Sequence, residues 1–261
     1  MSVKVVIATH KPYSFPNSSY YIPVHVGKVL SKNDFGYLGD DTNQNISYKN
    51  PYYSELTALY WAWKNDFFSD VKYGGLVHYR RYFKGNLSFN DISILSSEET
   101  QTLLQKYDII LPKRRHYYIE TIAQHYAHAH YAKDLLLAEV TLQNMYPHFI
   151  GAYKEVMQNK TIHLYNMFVM KKEYVYEYCT WLFPLLFSLE KQIDVTTYDA
   201  YQKRIFGFLA ERLFNVWITY KTNQGLRIKT LPIVNIEGEN LFIKTLGLLK
   251  RKYFDTIKEQ I

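Results

Sequence analysis

A chain of 261 residues, 48% hydrophobic and 21% charged, is long enough for one large α/β domain and apolar enough to build a core, which excludes a disordered protein. Thirty-one Lys and Arg against 24 Asp and Glu give a net charge of +7, which favours anionic partners such as nucleotides, nucleic acid or an acidic membrane face. A single cysteine, Cys179, excludes a disulfide framework and a thiolate zinc site, and its apolar helical context points to a buried, inert thiol.

The first element is a short β-branched strand, "VKVVIATH", ending at polar Thr9 and His10. Its apolar run is far too short for a signal peptide. Residues 11–50, rich in Pro, Asn, Ser and Gly, read as a long loop region. A helix follows over "SELTALYWAWKNDF", with Leu56, Leu59, Tyr60 and Trp63 at helical spacing and Ser54 as its cap. "YGGLVHYRRYF" gives a buried strand that runs into His78, Tyr79, Arg80 and Arg81. "SSEETQTLLQKY" is a helix with acids in its first turn, where the dipole favours them. "DIILP" is a third strand, stopped by Pro112 and followed by Lys113, Arg114 and Arg115. Residues 119–158 read as helical, "LYNMFVM" as a fourth strand, and residues 171–191 and 197–221 as long helices. "LRIKTLPIVNI" supplies a late strand, and residues 242–261 a basic amphipathic helix. The longest apolar run, "CTWLFPLLFSL", contains Pro184 and is too short to span a bilayer. The expectation is a soluble, cytoplasmic protein, at most peripheral on a membrane face through the terminal helix.

Strands alternating with helices predict an α/β sandwich with a mostly parallel sheet, in which ligands bind beyond the carboxyl ends of the strands. Those ends carry Thr9 and His10, His78 to Arg81, and Lys113 to Arg115. Arginine's planar fork matches phosphate oxygens and stays charged. Neighbours on an extended strand point to opposite faces, so Arg80 and Arg81 reach one ligand only if the strand bends or ends there.

Other groups admit two readings each. Asp40 and Asp41, with Asn43, could hold Mg²⁺ or could be ordinary turn residues. His125, His128, His130 and Asp134 lie close in sequence but match no strong zinc pattern, and a polar lip on a substrate cleft is the better expectation. Glu211 sits beside the apolar stripe of its helix, where it could pair with Arg204 or a neighbour, or act as a base in a cleft. Gly207, inside the same helix, implies close packing or ligand approach.

Eight words in the sequence, "VHVGKVLS", "GDDTNQNIS", "NPYYSELTALYWAWKN", "GLVHYRRYF", "DIILPKRR", "YNMFVMKKE", "YCTWLFPLLF" and "RIFGFLAERL", occur in a shared order across about residues 3–220. In these the chain resembles a family of bacterial glycosyltransferases, formerly described as a domain of unknown function, encoded in capsular and exopolysaccharide clusters. The family pattern usually has glycine where this chain has Asn43. The resemblance implies a GT-A-like three-layer sandwich. With no internal repeat or low-complexity linker, a single domain is expected over residues 1–241, with a nucleotide-binding half to about 115 and an acceptor half beyond it. The resemblance also implies sugar transfer, with galactofuranose from UDP-galactofuranose associated with the family, onto a lipid-linked or oligosaccharide acceptor.

In GT-A enzymes a central strand normally ends in an Asp-x-Asp that holds a metal, and here the comparable strand ends in "HYRR". The implied donor site is Thr9, His10, Asp40, Asp41, His78, Tyr79, Arg80, Arg81, Lys113, Arg114, Asn166 and Arg212, with arginine taking over the metal's role. No cofactor is then required; Mg or Mn is the less favoured alternative. Inversion needs a carboxylate base, and "GFLAER" resembles the late acidic motif that supplies it, which selects Glu211 with Asp199 in reserve. Tyr60, Trp61 and Trp181 are candidate stacking faces for sugar. The competing expectations are a polyanion- or nucleic-acid-binding module, which lacks an RRM-type signature, and a membrane-surface scaffold.

Overall fold

The structure, a computed structural model, describes residues 2–237. Its centre is a sheet led by β1 (Val3–Thr9), whose apolar run from Val5 to Ala8 fits a strand covered on both faces. β1 pairs in parallel with β2 (Tyr21–His25) on one side, and β2 with the short β3 (Leu38–Gly39). These two strands interrupt what the composition marks as a loop: "YIPVH" is short, contains Pro23 and carries too little alternation to stand out. Before the next long helix comes α1 (Asn50–Tyr53), and then α2 (Leu56–Lys64). Ser54 does not cap α2: its backbone is left-handed, with φ 51°, and Glu55 takes the capping position.

On the other side β1 pairs in parallel with β4 (Tyr73–His78). Gly74 and Gly75 in β4 leave room for protein, since a Cβ would strike the Phe68 ring or the Phe168 carbonyl. After two residues the chain returns as β5 (Arg81–Phe89), with His78 opposite Arg81, and β6 (Ile92–Ile94) completes a hairpin. α3 (Ser97–Lys106) opens with a capping box between Ser96 and Glu99. β7 (Ile109–Pro112) and the short β8 (Arg115–His116) follow.

The helical stretch expected over 119–158 divides into α4 (Ile122–Ala129), α5 (Ala132–Met145) and α6 (Ile150–Gln158), ahead of β9 (Thr161–Ile162). β10 (Phe168–Lys171) begins four residues later than "LYNMFVM" suggests, because Tyr165 and Asn166 adopt left-handed backbone at φ 78° and 51°. It runs antiparallel between β4 and β7. α7 (Lys172–Glu190) and α8 (Ile205–Thr222) follow; α8 starts well after residue 197 because the intervening segment forms turns. Pro232 splits the last strand into β11 (Ile228–Leu231), parallel to β7, and β12 (Ile233–Asn235), antiparallel to β5. The amphipathic helix expected over 242–261 lies outside the described residues.

Residues alternate between two cores, as the period of a strand requires. Val6, Ala8, Leu76, Ile109 and Phe168 face the larger helical layer. Val5, Ile7, Val77, Ile110 and Val169 face α3 and the β5–β6 hairpin. This is the mostly parallel three-layer arrangement expected from the sequence. It sets the ends of β1, β2 and β4, and the approach to β10, along one edge. Cys179 is buried, and no helix among the described residues is long and apolar enough to cross a membrane.

Candidate functional site

An open cleft of about 580 Å³ lies beyond the carboxyl ends of β1, β2 and β4. One side is cationic. His10 follows β1, and the two-residue turn between β4 and β5 presents Tyr79 and Arg80 at its tip with His78 and Arg81 at its base. The strand therefore ends where the arginines begin, which meets the geometric condition for both to face one ligand. His78 and Arg81 are cross-strand partners and share a face.

The two arginines differ in their engagement. Arg80 Nη1 donates to Glu237 at 3.0 Å, and Lys11 holds the same carboxylate at 3.2 Å. Arg81 stacks over the Tyr165 ring at 4.5 Å and has no carboxylate partner among the described residues. Burial lowers the pKa of His10, with Lys11, Arg80 and Arg204 adding to the effect. Burial also lowers that of His78, whose Nε2 donates to the Tyr165 carbonyl at 2.6 Å.

The opposite side carries two acids. Glu211, on α8, accepts from the Tyr165 backbone N–H at 2.6 Å through Oε1 and from Arg212 at 2.7 Å through Oε2. Burial raises its pKa above the usual glutamate range, against the opposing pull of Arg212, the Tyr165 N–H and Arg81, and with help from the charge on Glu55. Glu55, half-buried at the start of α2, accepts from Asn166 Nδ2 at 2.7 Å. The other N–H of that amide reaches the Gly207 carbonyl at 3.2 Å. Gly207 packs closely on the turn before α2: a Cβ on the glycine would lie 3.3 Å from Ser54 Oγ, a tight contact. Arg204 donates to the same hydroxyl at 3.1 Å and joins the cleft wall.

Of the residues singled out from sequence, His10, His78, Tyr79, Arg80, Arg81, Asn166 and Glu211 line this cleft. Thr9 is buried beside it, its hydroxyl donating to the Lys11 carbonyl. Arg212 lies behind Glu211, 3% exposed, and fixes its carboxylate rather than facing the cleft. Asp40 is fully buried and accepts from the Gly27 and Lys28 N–H groups and the Ser47 hydroxyl, so its oxygens organise the loop. Neither it nor Asp41 lines the cleft, and among the described residues no cluster of three or more His, Cys, Asp or Glu is placed to hold a metal ion. Asn43, standing where the family pattern has glycine, takes the left-handed backbone at φ 48° that glycine favours and asparagine tolerates.

Lys113 and Arg114 follow β7, with β10 between them and β4, and do not join the cleft wall; Arg114 Nε donates to His163 Nε2 at 3.1 Å. Asp199 is exposed and accepts from the N–H groups of Tyr201 and Gln202, closing the turn before α8.

Two expectations are corrected. The histidines of "QHYAHAHYAKD" do not form a lip on the cleft. His125 stacks on Tyr117, His128 pairs with Glu120, and His130 stacks on Phe208 and binds Gln202. Asp134 accepts from the Tyr198 hydroxyl. Tyr60, Trp61 and Trp181 pack in or against the main core, and the aromatic faces at the cleft are Tyr79, Tyr165 and Phe208. Sequence inspection also passed over Glu55, Ser54 and Arg204 as cleft residues. Their only signal was membership of "NPYYSELTALYWAWKN" and "RIFGFLAERL".

The model of the family described as "Domain of unknown function (DUF4422)" matches residues 4–223. The chain belongs to the DUF4422 family. No curated protein matches it. Among solved structures, this DUF4422 chain is similar to one described as the apo structure of the bifunctional glycosyltransferase WbbM, with a TM-score of 0.81 and 34% identity. The match covers 92% of the present chain and 46% of WbbM, so the chain spans about half of that protein's length. The likeness bears out the GT-A-like α/β class expected from the sequence, and the DUF4422 chain shares its fold with a glycosyltransferase.

Proposed function

We propose that this DUF4422 protein is a glycosyltransferase that moves a sugar from a nucleotide-sugar donor to a saccharide acceptor. The observation that carries the proposal is the division of one cleft into a cationic side, with Arg81 free of any carboxylate partner among the described residues, and an acidic side with Glu211. The solved glycosyltransferase of like fold supports the same reading.

The donor proposed is UDP-galactofuranose, and the acceptor a lipid-linked or oligosaccharide chain of a capsular or exopolysaccharide, met at the cytoplasmic membrane face. Arg80 and Arg81 would stabilise charge developing on the departing diphosphate, the electrostatic work a metal does elsewhere. Asp40 is committed to the loop, which favours a metal-independent reaction. The acceptor hydroxyl oxygen would attack the anomeric carbon with inversion, the carbon–oxygen bond to UDP would break with its electron pair leaving on the diphosphate, and Glu211 would take the hydroxyl proton. A buried carboxylate with a raised pKa is a stronger base than an exposed one.

Incubating the protein with UDP-galactofuranose and an oligosaccharide acceptor, with and without EDTA, tests this. Transfer at an undiminished rate in EDTA is expected. Complete loss on chelation, restored by Mg²⁺ or Mn²⁺, would remove metal independence, and no transfer from any UDP-sugar would remove the activity itself.

A further inference from the structure

We infer that Glu55 is a specificity-determining residue that accepts a hydrogen bond from a sugar hydroxyl in the cleft, an inference that rests on the glycosyltransferase reading above. The backbone holds Glu55 at the cleft with care. Ser54 before it is left-handed, and that turn is pinned by Asn50 Nδ2 donating to the Ser54 carbonyl at 2.8 Å and by Arg204 on the Ser54 hydroxyl. Gly207 lets α8 pack closely on this turn, where a Cβ would come within 3.3 Å of the Ser54 hydroxyl.

Of the two carboxylate oxygens, Oε1 accepts from Asn166 at 2.7 Å. Oε2 accepts no hydrogen bond from the described residues, and Glu55 makes no ion pair with them. The Asn166 amide cannot be reversed, because its nitrogen sits between two acceptors, the Glu55 carboxylate and the Gly207 carbonyl.

The two acids of the cleft thus differ. Glu211 is held through both oxygens, whereas Glu55 is held through one, leaving a charged acceptor at the cleft wall. A hydroxyl donor suits that position better than a phosphate, which a carboxylate repels. Charge-assisted hydrogen bonds of this kind discriminate strongly, because a missing or misplaced hydroxyl leaves the carboxylate unpaired. The hydroxyl belongs to the donor sugar or to the acceptor, and binding experiments separate the two.

Titrating UDP and UDP-galactofuranose into wild type and Glu55→Gln, with acceptor KM measured alongside, tests the inference. UDP affinity should be unchanged. A loss of roughly 10- to 100-fold in UDP-galactofuranose affinity places the contact on the donor sugar; an equal rise in acceptor KM with donor affinity intact places it on the acceptor. Glu55→Asp keeps the charge at the start of α2 but withdraws the carboxylate, so it should lose the same sugar affinity while melting like wild type. The inference is overturned if Glu55→Gln leaves both sugar affinities unchanged, if it weakens UDP as much as UDP-galactofuranose, if kcat alone collapses, or if Glu55→Asp restores binding. A wild-type protein that binds neither UDP nor any UDP-sugar would instead remove the glycosyltransferase reading, and this inference with it.

Discussion

The cationic side of the cleft comes mostly from one short run of chain, His78 to Arg81 at the β4–β5 turn, with His10 beside it. The acidic side is gathered from three distant segments, Glu55, Tyr165–Asn166 and Glu211, joined by hydrogen bonds through the left-handed turn before β10. A turn that sets adjacent residues on one ligand makes fixed positive charge from local sequence alone. Holding two acids near each other needs separated elements and a strained connector, so that side is more sensitive to packing. Binding of an anion and transfer chemistry should therefore fail independently when each side is altered.

The largest effect is expected on the acidic side. Glu211→Gln should lower turnover by roughly 10²- to 10⁴-fold, the usual contribution of a positioned base. Because burial raises the pKa of Glu211 and the proposed base acts in its ionised form, wild-type turnover should fall as pH drops through a value above the ordinary 4.5. A pH–rate profile flat down to pH 4.5, or near-normal turnover in Glu211→Gln, would take the residue out of the mechanism.

A middle-sized effect separates the two arginines. Arg81→Ala should weaken UDP binding by roughly 10- to 100-fold, as loss of a charge-assisted contact does. Arg80→Ala should weaken it less, since Arg80 already shares Glu237 with Lys11 and part of its charge is spent there. Calorimetry that ranks them the other way would reverse the assignment of the principal diphosphate contact.

The smallest effect on the cleft, none at all, is expected from a residue outside it that serves as a control. Burial lowers the pKa of His163 from 6.5 to about 4, with Arg114 contributing, while Nδ1 donates to the Pro112 carbonyl. The unfolded chain takes up this proton first as pH falls, so stability is full above pH 6.5 and is lost between 6.5 and about 4. The loss amounts to at most about 3 kcal/mol at ~1.4 kcal/mol per pH unit. Denaturant melts of His163→Gln should show a shallower fall over that range than wild type, with UDP affinity unchanged. An identical slope would mean that His163 does not titrate as its burial requires.

The same contrast explains what sequence could reveal. Strands such as "VKVVIATH" and "DIILP", and the acidic first turn of α3, are local, and they were legible. "HYRR" was legible because its four residues are neighbours. Glu211 stood out only through its resemblance to a family motif, since an acid beside an apolar helical stripe looks the same whether it faces solvent or a cleft. Glu55 resembled an ordinary helix-start acid, and its nearness to Asn166 exists only once β10 is laid beside β4. "LYNMFVM" read as continuous strand because side-chain pattern does not report a left-handed backbone at Tyr165 and Asn166. The histidines after residue 124 and the buried tryptophans misled for a related reason: composition shows that a polar or aromatic group is present, and packing decides which way it faces.

The division of labour in the cleft is tested most directly by one paired calorimetric titration, with UDP added to Arg81→Ala and to Glu211→Gln under the same conditions. Glu211→Gln should bind UDP within about twofold of wild type, while Arg81→Ala loses roughly 10-fold or more. Equal losses in both variants, or none in either, would contradict a cleft that binds diphosphate on one side and carries out transfer on the other.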